Sequence, residues 1–185
     1  PKEKGFNIEG LAAGPDGQSL WIALRNPVFK DAKGKPRAIV IPLTNPTEVI
    51  ENGQKAQFGQ PILLDLGGRG IRSIDYRDNE GRYWIAAGSV NSQIDFSVFL
   101  YDPKDGKIET CQVDLPRNFT PEGLFGVPGQ TAICFISDDG TLAQTVKSSA
   151  DCMEGQLLPD GTCPNKFLVD MNKRTFRIFP VDITN

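Results

Sequence analysis

A chain of 185 residues with a formal net charge of −3 offers no basic face for nucleic acid, and no apolar run approaches the roughly 20 residues a bilayer-spanning helix needs. It contains no histidine, so Ser-His-Asp and Cys-His catalysis, and zinc or haem held by imidazole, cannot be assembled from it alone. Any chemistry must rest on carboxylates, Arg, Lys, Tyr, Ser, Cys or a cation held by oxygen.

The first unit is expected over 1–66. Ile8 to Ala13 reads as a strand, Gly14-Pro15-Asp16-Gly17 as a turn suited to positive φ, and Leu20 to Leu24 as a second strand. A polar loop, Asn26 to Pro36, leads to a third strand at Arg37 to Leu43. Asn45-Pro46-Thr47-Glu48 is a turn or short helical start, and Pro61 to Leu66 closes the unit. The second unit, 67–117, carries strands at Ile71–Tyr76, Arg82–Ala87, Phe96–Tyr101 and Lys107–Val113. Its joints, Arg77 to Gly81 and Asp102 to Gly106, end in the Gly that tight hairpins favour. The third unit, 118–185, is expected to hold strands at Pro121–Phe125, Thr131–Ser137, Lys166–Asp170 and Thr175–Val181, with turns at Pro128-Gly129-Gln130 and Asn172-Lys173. A long insertion, 138–165, separates its second and third strands. Loops of that length inside a compact domain are usually functional or disordered.

Three stretches recur. Asn7-Ile8-Glu9-Gly10-Leu11, Ile71-Arg72-Ser73-Ile74 and Pro121-Glu122-Gly123-Leu124 each precede a turn and an apolar run. The runs are Leu20 to Asn26, Tyr83 to Ser89 and Ala132 to Asp139. Glu9, Arg72 and Glu122 then share one position in three copies. Short-strand repeats of this length mark propeller blades. The expected fold is therefore all-β: a β-propeller portion of three four-stranded antiparallel blades. Closed propellers have about four to eight blades, so these three would belong to a six- or seven-bladed ring. The remaining blades would come from the same protein, from a cleaved second chain or from a second copy. A start at Pro1, without Met or a signal peptide, fits a trimmed precursor or part of a longer protein.

Blade topology sorts the loops. One mouth of the ring should gather Glu9, Arg72 and Glu122 at inner-strand starts, and Arg25, Asn26, Ser89, Asp138 and Asp139 at second-strand ends. Gly67-Gly68-Arg69-Gly70 joins them there. Such a mouth is the natural binding cavity of a propeller. Three readings of its carboxylates compete: structural pairing with Arg25 and Arg72, an oxygen-only site for calcium or magnesium through Glu9 and Glu122, or acid–base chemistry by a carboxyl pair. Arg25, Arg69 and Arg72 could clamp an anion or glue blades by ion pairs. The Gly67–Gly70 run could form an amide nest or a plain turn. Trp21 and Trp84 fall at matching positions and are expected to pack blades together.

Of the four cysteines, Cys152 and Cys163 flank a turn-like segment containing Pro159-Asp160-Gly161 and are expected to form a local disulfide. That bridge would place the protein in the periplasm or outside the cell. Cys134, inside an apolar strand, reads as a small buried hydrophobe, and Cys111 is left open.

Glu9-Gly10-Leu11-Ala12 with Leu20-Trp21-Ile22-Ala23-Leu24-Arg25-Asn26-Pro27, Asp65 to Ile74, and Phe119-Thr120-Pro121-Glu122-Gly123-Leu124 together resemble an uncharacterised bacterial β-propeller family, a domain of unknown function. The chain is also distantly similar to esterase-like phytase and gluconolactonase-type propellers. These carry Glu-Gly-Leu or Glu-Gly-Pro at an inner-strand start, and in the gluconolactonase type that glutamate helps hold a divalent cation. Glu9 and Glu122 match residue by residue, whereas the histidines and Asn/Asp pairs of other members have no counterpart here. The resemblance implies a cation-dependent hydrolase of a small phosphoester, ester or lactone. The other class is a non-catalytic binding or scaffold propeller.

Overall fold

The computed structural model describes residues 5–90, 95–127, 129–130 and 132–182. The first sheet opens with β1 (Asn7–Ala13) and β2 (Leu20–Asn26). Between them Asp16 Oδ1 accepts hydrogen bonds from the Gln18 and Ser19 amides and the Ser19 hydroxyl, and Gly17 takes φ 66°. A two-residue strand, β3 (Phe29–Lys30), pairs with the start of β4 (Pro36–Leu43), so the polar loop after Asn26 is a small hairpin. The segment at Pro46 is a true helix, α1 (Pro46–Asn52), with proline in its first turn and Gly53 in the left-handed region as its stop. Asn45 pins the returning chain by bonding Lys55 O and the Gln57 amide, and β5 (Ile62–Leu64) completes the sheet against β4.

The second sheet is a four-stranded meander, β6 (Gly70–Arg77), β7 (Arg82–Gly88), β8 (Phe96–Tyr101) and β9 (Ile108–Cys111). The third begins with β10 (Pro121–Gly126) and β11 (Ala132–Ser137). The chain then leaves through a hairpin, β12 (Ala143–Thr145) with β13 (Thr162–Pro164), and returns as β14 (Ile178–Asp182) beside β11.

Strand alternation decides which side chains meet. The second sheet is apolar on both faces, and both are covered. Tyr83, Ile85, Ala87, Phe99 and Tyr101 pack with Trp21, Ala23, Val40 and Leu64 of the first sheet. Trp84, Ala86 and Val98 pack with Leu124, Ile133 and Phe135 of the third. Trp21 lies flat on Tyr83, ring centroids 4.2 Å apart, and the Tyr83 hydroxyl donates to Ala13 O at 2.8 Å across the seam. Both tryptophans are therefore packing residues, as expected. Strand β6 neighbours both β1 of the first sheet and β10 of the third.

The chain is mostly β, in several antiparallel sheets, and the described residues form no closed barrel or ring. The third unit departs from the expected four strands. Lys166–Asp170 is not a strand: its first part is a 3₁₀ turn, Asn165–Phe167, and Leu168 makes a single bridge to Cys152. The strand expected at Thr175–Val181 is β14, the third of this sheet, so the excursion runs on to Arg177 rather than ending at 165. The physical reason is that the excursion has its own small core, Cys152, Cys163 and Leu168 with Val146 and Phe167, which competes for the apolar residues of the expected strand. Asn172-Lys173 likewise belongs to a 3₁₀ turn, Met171–Lys173. Thr131 and the Pro128 corner of the preceding turn lie outside the described residues. Cys152 and Cys163 are disulfide-bonded, Cys134 is buried with a free thiol, and Cys111 is free and half-buried.

Candidate functional site

The three equivalent positions share a backbone feature. Pairing of β1 with β2 slips between Ile8 and Gly10, of β6 with β7 between Ile71 and Ser73, and of β10 with β11 between Pro121 and Gly123. Glu9, Arg72 and Glu122 are thus the extra residues of three β-bulges. A bulge bends its strand and re-aims one side chain.

Each bulge side chain meets an opposite charge. Arg25 Nη1 lies 3.0 Å from Glu9 Oε1, which also accepts from Asn7 Nδ2 at 2.9 Å. The second nitrogen of Arg25 reaches Ser89 O, just past the end of β7, at 3.4 Å. Arg72 pairs with Glu122, tying the second sheet to the third. Its guanidinium lies over Gly88, where an added Cβ would come within 2.4 Å of Arg72 Nε. Gly70 is equally committed: a Cβ there would sit 2.0 Å from Arg25 O, so β6 starts with its backbone pressed on the end of β2. Arg69 pairs with Asp95 at 2.9 Å, and the Ser89 amide donates to Asp95 O at 3.1 Å. Arg25, Arg69 and Arg72 therefore reach Ser89, Asp95 and Gly88 respectively, beside the end of β7 and the start of β8. The Gly67–Gly70 run is a plain turn, its Arg69 amide donating to Leu66 O, with Gly67 and Gly68 both at positive φ.

The rest of the sequence-selected set divides. Asn26 is buried at the end of β2 and is hydrogen-bonded or otherwise engaged. Asp138 caps its own turn through the Gly140 amide. Asp139, 3% exposed, receives a two-pronged bond from Arg177 at 2.8 and 2.7 Å, and Arg177 also donates to Asn118 O at 2.6 Å. The Arg177 guanidinium holds the Asp139 carboxyl below the usual carboxylate range. Asp139 is therefore the clasp of the excursion.

Sequence reading missed several participants in the seam between the second and third sheets. Ser73 Oγ bonds the backbone of Leu124, and Asp75 Oδ2 accepts from the Gly126 amide at 2.8 Å. Burial pushes the Asp75 carboxyl up from its ordinary value. Arg77, buried, donates to Gln130 O at 2.8 Å and lies against Gly126. The alternation in Arg72-Ser73-Ile74-Asp75-Tyr76-Arg77 was the available signal: polar residues on one face of a strand covered on both sides must find partners.

Among the described residues no three His, Cys, Asp or Glu side chains stand together, and Glu9 and Glu122 are each held by a guanidinium. One carboxylate oxygen, Glu9 Oε2, is buried without a hydrogen-bond partner among the described residues. A groove of about 260 Å³ lies in the excursion, lined by residues 144–147 with Asp151, Leu168, Asp170 and Lys173. A scan against models of known protein families finds no match, and neither does a search of curated proteins.

Proposed function

We propose that the chain is a non-catalytic scaffold: three blades of a β-propeller whose charged mouth braces the ring instead of carrying out a reaction. One observation supports this above all. The two carboxylates that a cation would need are each occupied by an arginine, and those arginines stitch one sheet to the next. Shared bulges at Glu9, Arg72 and Glu122, and the contacts of β6 with both β1 and β10, support the blade reading. The cation-dependent hydrolase reading has less behind it, chiefly Glu9 Oε2, buried without a hydrogen-bond partner among the described residues. The disulfide supports a periplasmic or secreted home.

Calorimetric titration of calcium into the protein, alongside Glu9→Gln and Glu122→Gln, tests the choice. The scaffold reading expects no saturable calcium heat in any of the three. It also expects each variant to unfold at lower urea, by about 1–3 kcal/mol, because an arginine at the seam is left short of its partner. Saturable calcium binding that either substitution abolishes would replace the scaffold with the hydrolase.

A further inference from the structure

The sheets pack with a constant polarity. On each sheet the face that carries the residue opposite the third position after the bulge can be called the front. On the first sheet it bears Ala12, Trp21, Ala23 and Val40, and it rests on the second sheet's Tyr83, Ile85 and Ala87. On the second it bears Asp75, Trp84, Ala86 and Val98, and it rests on the third sheet's Leu124, Ile133 and Phe135. Both seams are front onto back. Among the described residues two faces are left over. The back of the first sheet presents Leu11, Ile22 and Ile41 in one register row, with Ile39 beside Leu63. Leu11 is 61% and Leu63 43% exposed. The front of the third sheet presents Phe125, Cys134 and Pro180 in one row and Ile136 and Ile178 in the next, with Ile178 50% exposed.

We infer that these two faces dock on each other between two copies of this chain, the third sheet's front of one copy on the first sheet's back of the other. The occupant follows from the molecule's own packing. The back of the first sheet matches, position for position, the back that Trp21 and Ala23 already cover in the second. The front of the third sheet matches the fronts that cover such backs. One chain thus carries both halves of a heterologous contact, and a rotation that closes it after two copies repeats the contact twice. Burying register-aligned Leu, Ile and Phe on both sides supplies the driving force, about 25 cal/mol per Å² of apolar surface removed from water. The inference rests on the stacked-blade part of the reading above and not on the charged mouth.

Sedimentation velocity of the whole chain over a concentration series tests it, with Leu11→Lys and Ile178→Lys, both at exposed positions where lysine leaves the fold intact. The chain should sediment at twice its 20.2 kDa mass. Each variant alone should return to a monomer with unchanged circular dichroism. An equimolar mixture of the two should regain a dimer, because one intact front then meets one intact back. A wild-type monomer at every concentration would overturn the inference. So would a dimer that Leu11→Lys breaks and Ile178→Lys does not, which marks back-to-back pairing. Calcium binding in a chain that still pairs head to tail would sink the scaffold reading and leave this contact standing.

Discussion

Asp75 and Asp139 are both drawn partly or wholly out of water, yet their surroundings push them in opposite directions. Burial dominates at Asp75, where one backbone amide does not offset the lost hydration. A folded value above the unfolded one favours the protonated form, so that stabilisation is complete below the ordinary Asp range and is lost as pH rises through the raised value. Asp75→Asn keeps an acceptor for the Gly126 amide and never ionises. It should unfold at higher urea than the parent at pH 7, and the difference should vanish in acid. At Asp139 the Arg177 guanidinium wins over burial. Its contribution is present above the unfolded Asp value and disappears as pH falls through the lowered one. Asp139→Ala should cost about 1.5–3 kcal/mol near neutral pH, the range for charged hydrogen bonds, and almost nothing at low pH, as urea unfolding across pH would read.

The excursion between β11 and β14 is an element with its own stability. Its core is a disulfide, Leu168 and two half-buried neighbours, and its ends are clasped by Asp139–Arg177 and by Asn165 bonding Thr175 in both directions. The bridge closes a short loop, with a sequence separation of 11, so its effect on the unfolded chain is up to about 2–3 kcal/mol. Cys152→Ser with Cys163→Ser should therefore open the excursion locally while the sheets persist. Limited proteolysis should cut the double variant between 153 and 162 much faster than the parent, with near-unchanged β-type circular dichroism. Peptide mapping without reductant should recover the two cysteine peptides linked in the parent. Cys111, whose thiol burial pushes up from its ordinary value, should remain slow towards alkylating reagents.

At the scale of the whole molecule, the second sheet is the shared partner of both seams. Trp21 belongs to the seam with the first sheet and Trp84 to the seam with the third. Replacing either by Ala should cost about 3–5 kcal/mol. Because β6 to β9 serve both seams, loss at one should weaken the other. The chain has only two tryptophans, so each variant keeps one reporter, and that reporter lies in the untouched seam. In Trp21→Ala the fluorescence midpoint of Trp84 in urea should fall along with the far-ultraviolet signal. A Trp84 transition that stays at the parental midpoint would mean that the seams melt independently.

Strand alternation and turn chemistry were written in the sequence. Phe96–Tyr101 coincides with β8, and most other strands of the first two sheets lie within a residue or two of their expected ends, since Gly and Asp at the corners allow few other turns. The bridge between Cys152 and Cys163 was also legible, because a short local loop leaves little choice of partner. The third sheet was not. Residues 166–170 look like a strand by local composition, and only the competing core around Leu168 removes them from the sheet. The charged positions Glu9, Arg72 and Glu122 could be aligned in sequence, but their common bulge and the choice of partners could not. Arg25 finds Glu9 within one sheet, whereas Arg72 finds Glu122 across two, and that difference depends on how close glycines 70 and 88 let the backbones and guanidiniums approach. Side-chain pattern determines which face of a strand is apolar. Only the packed sheets decide which of those faces are covered and which are left for another surface.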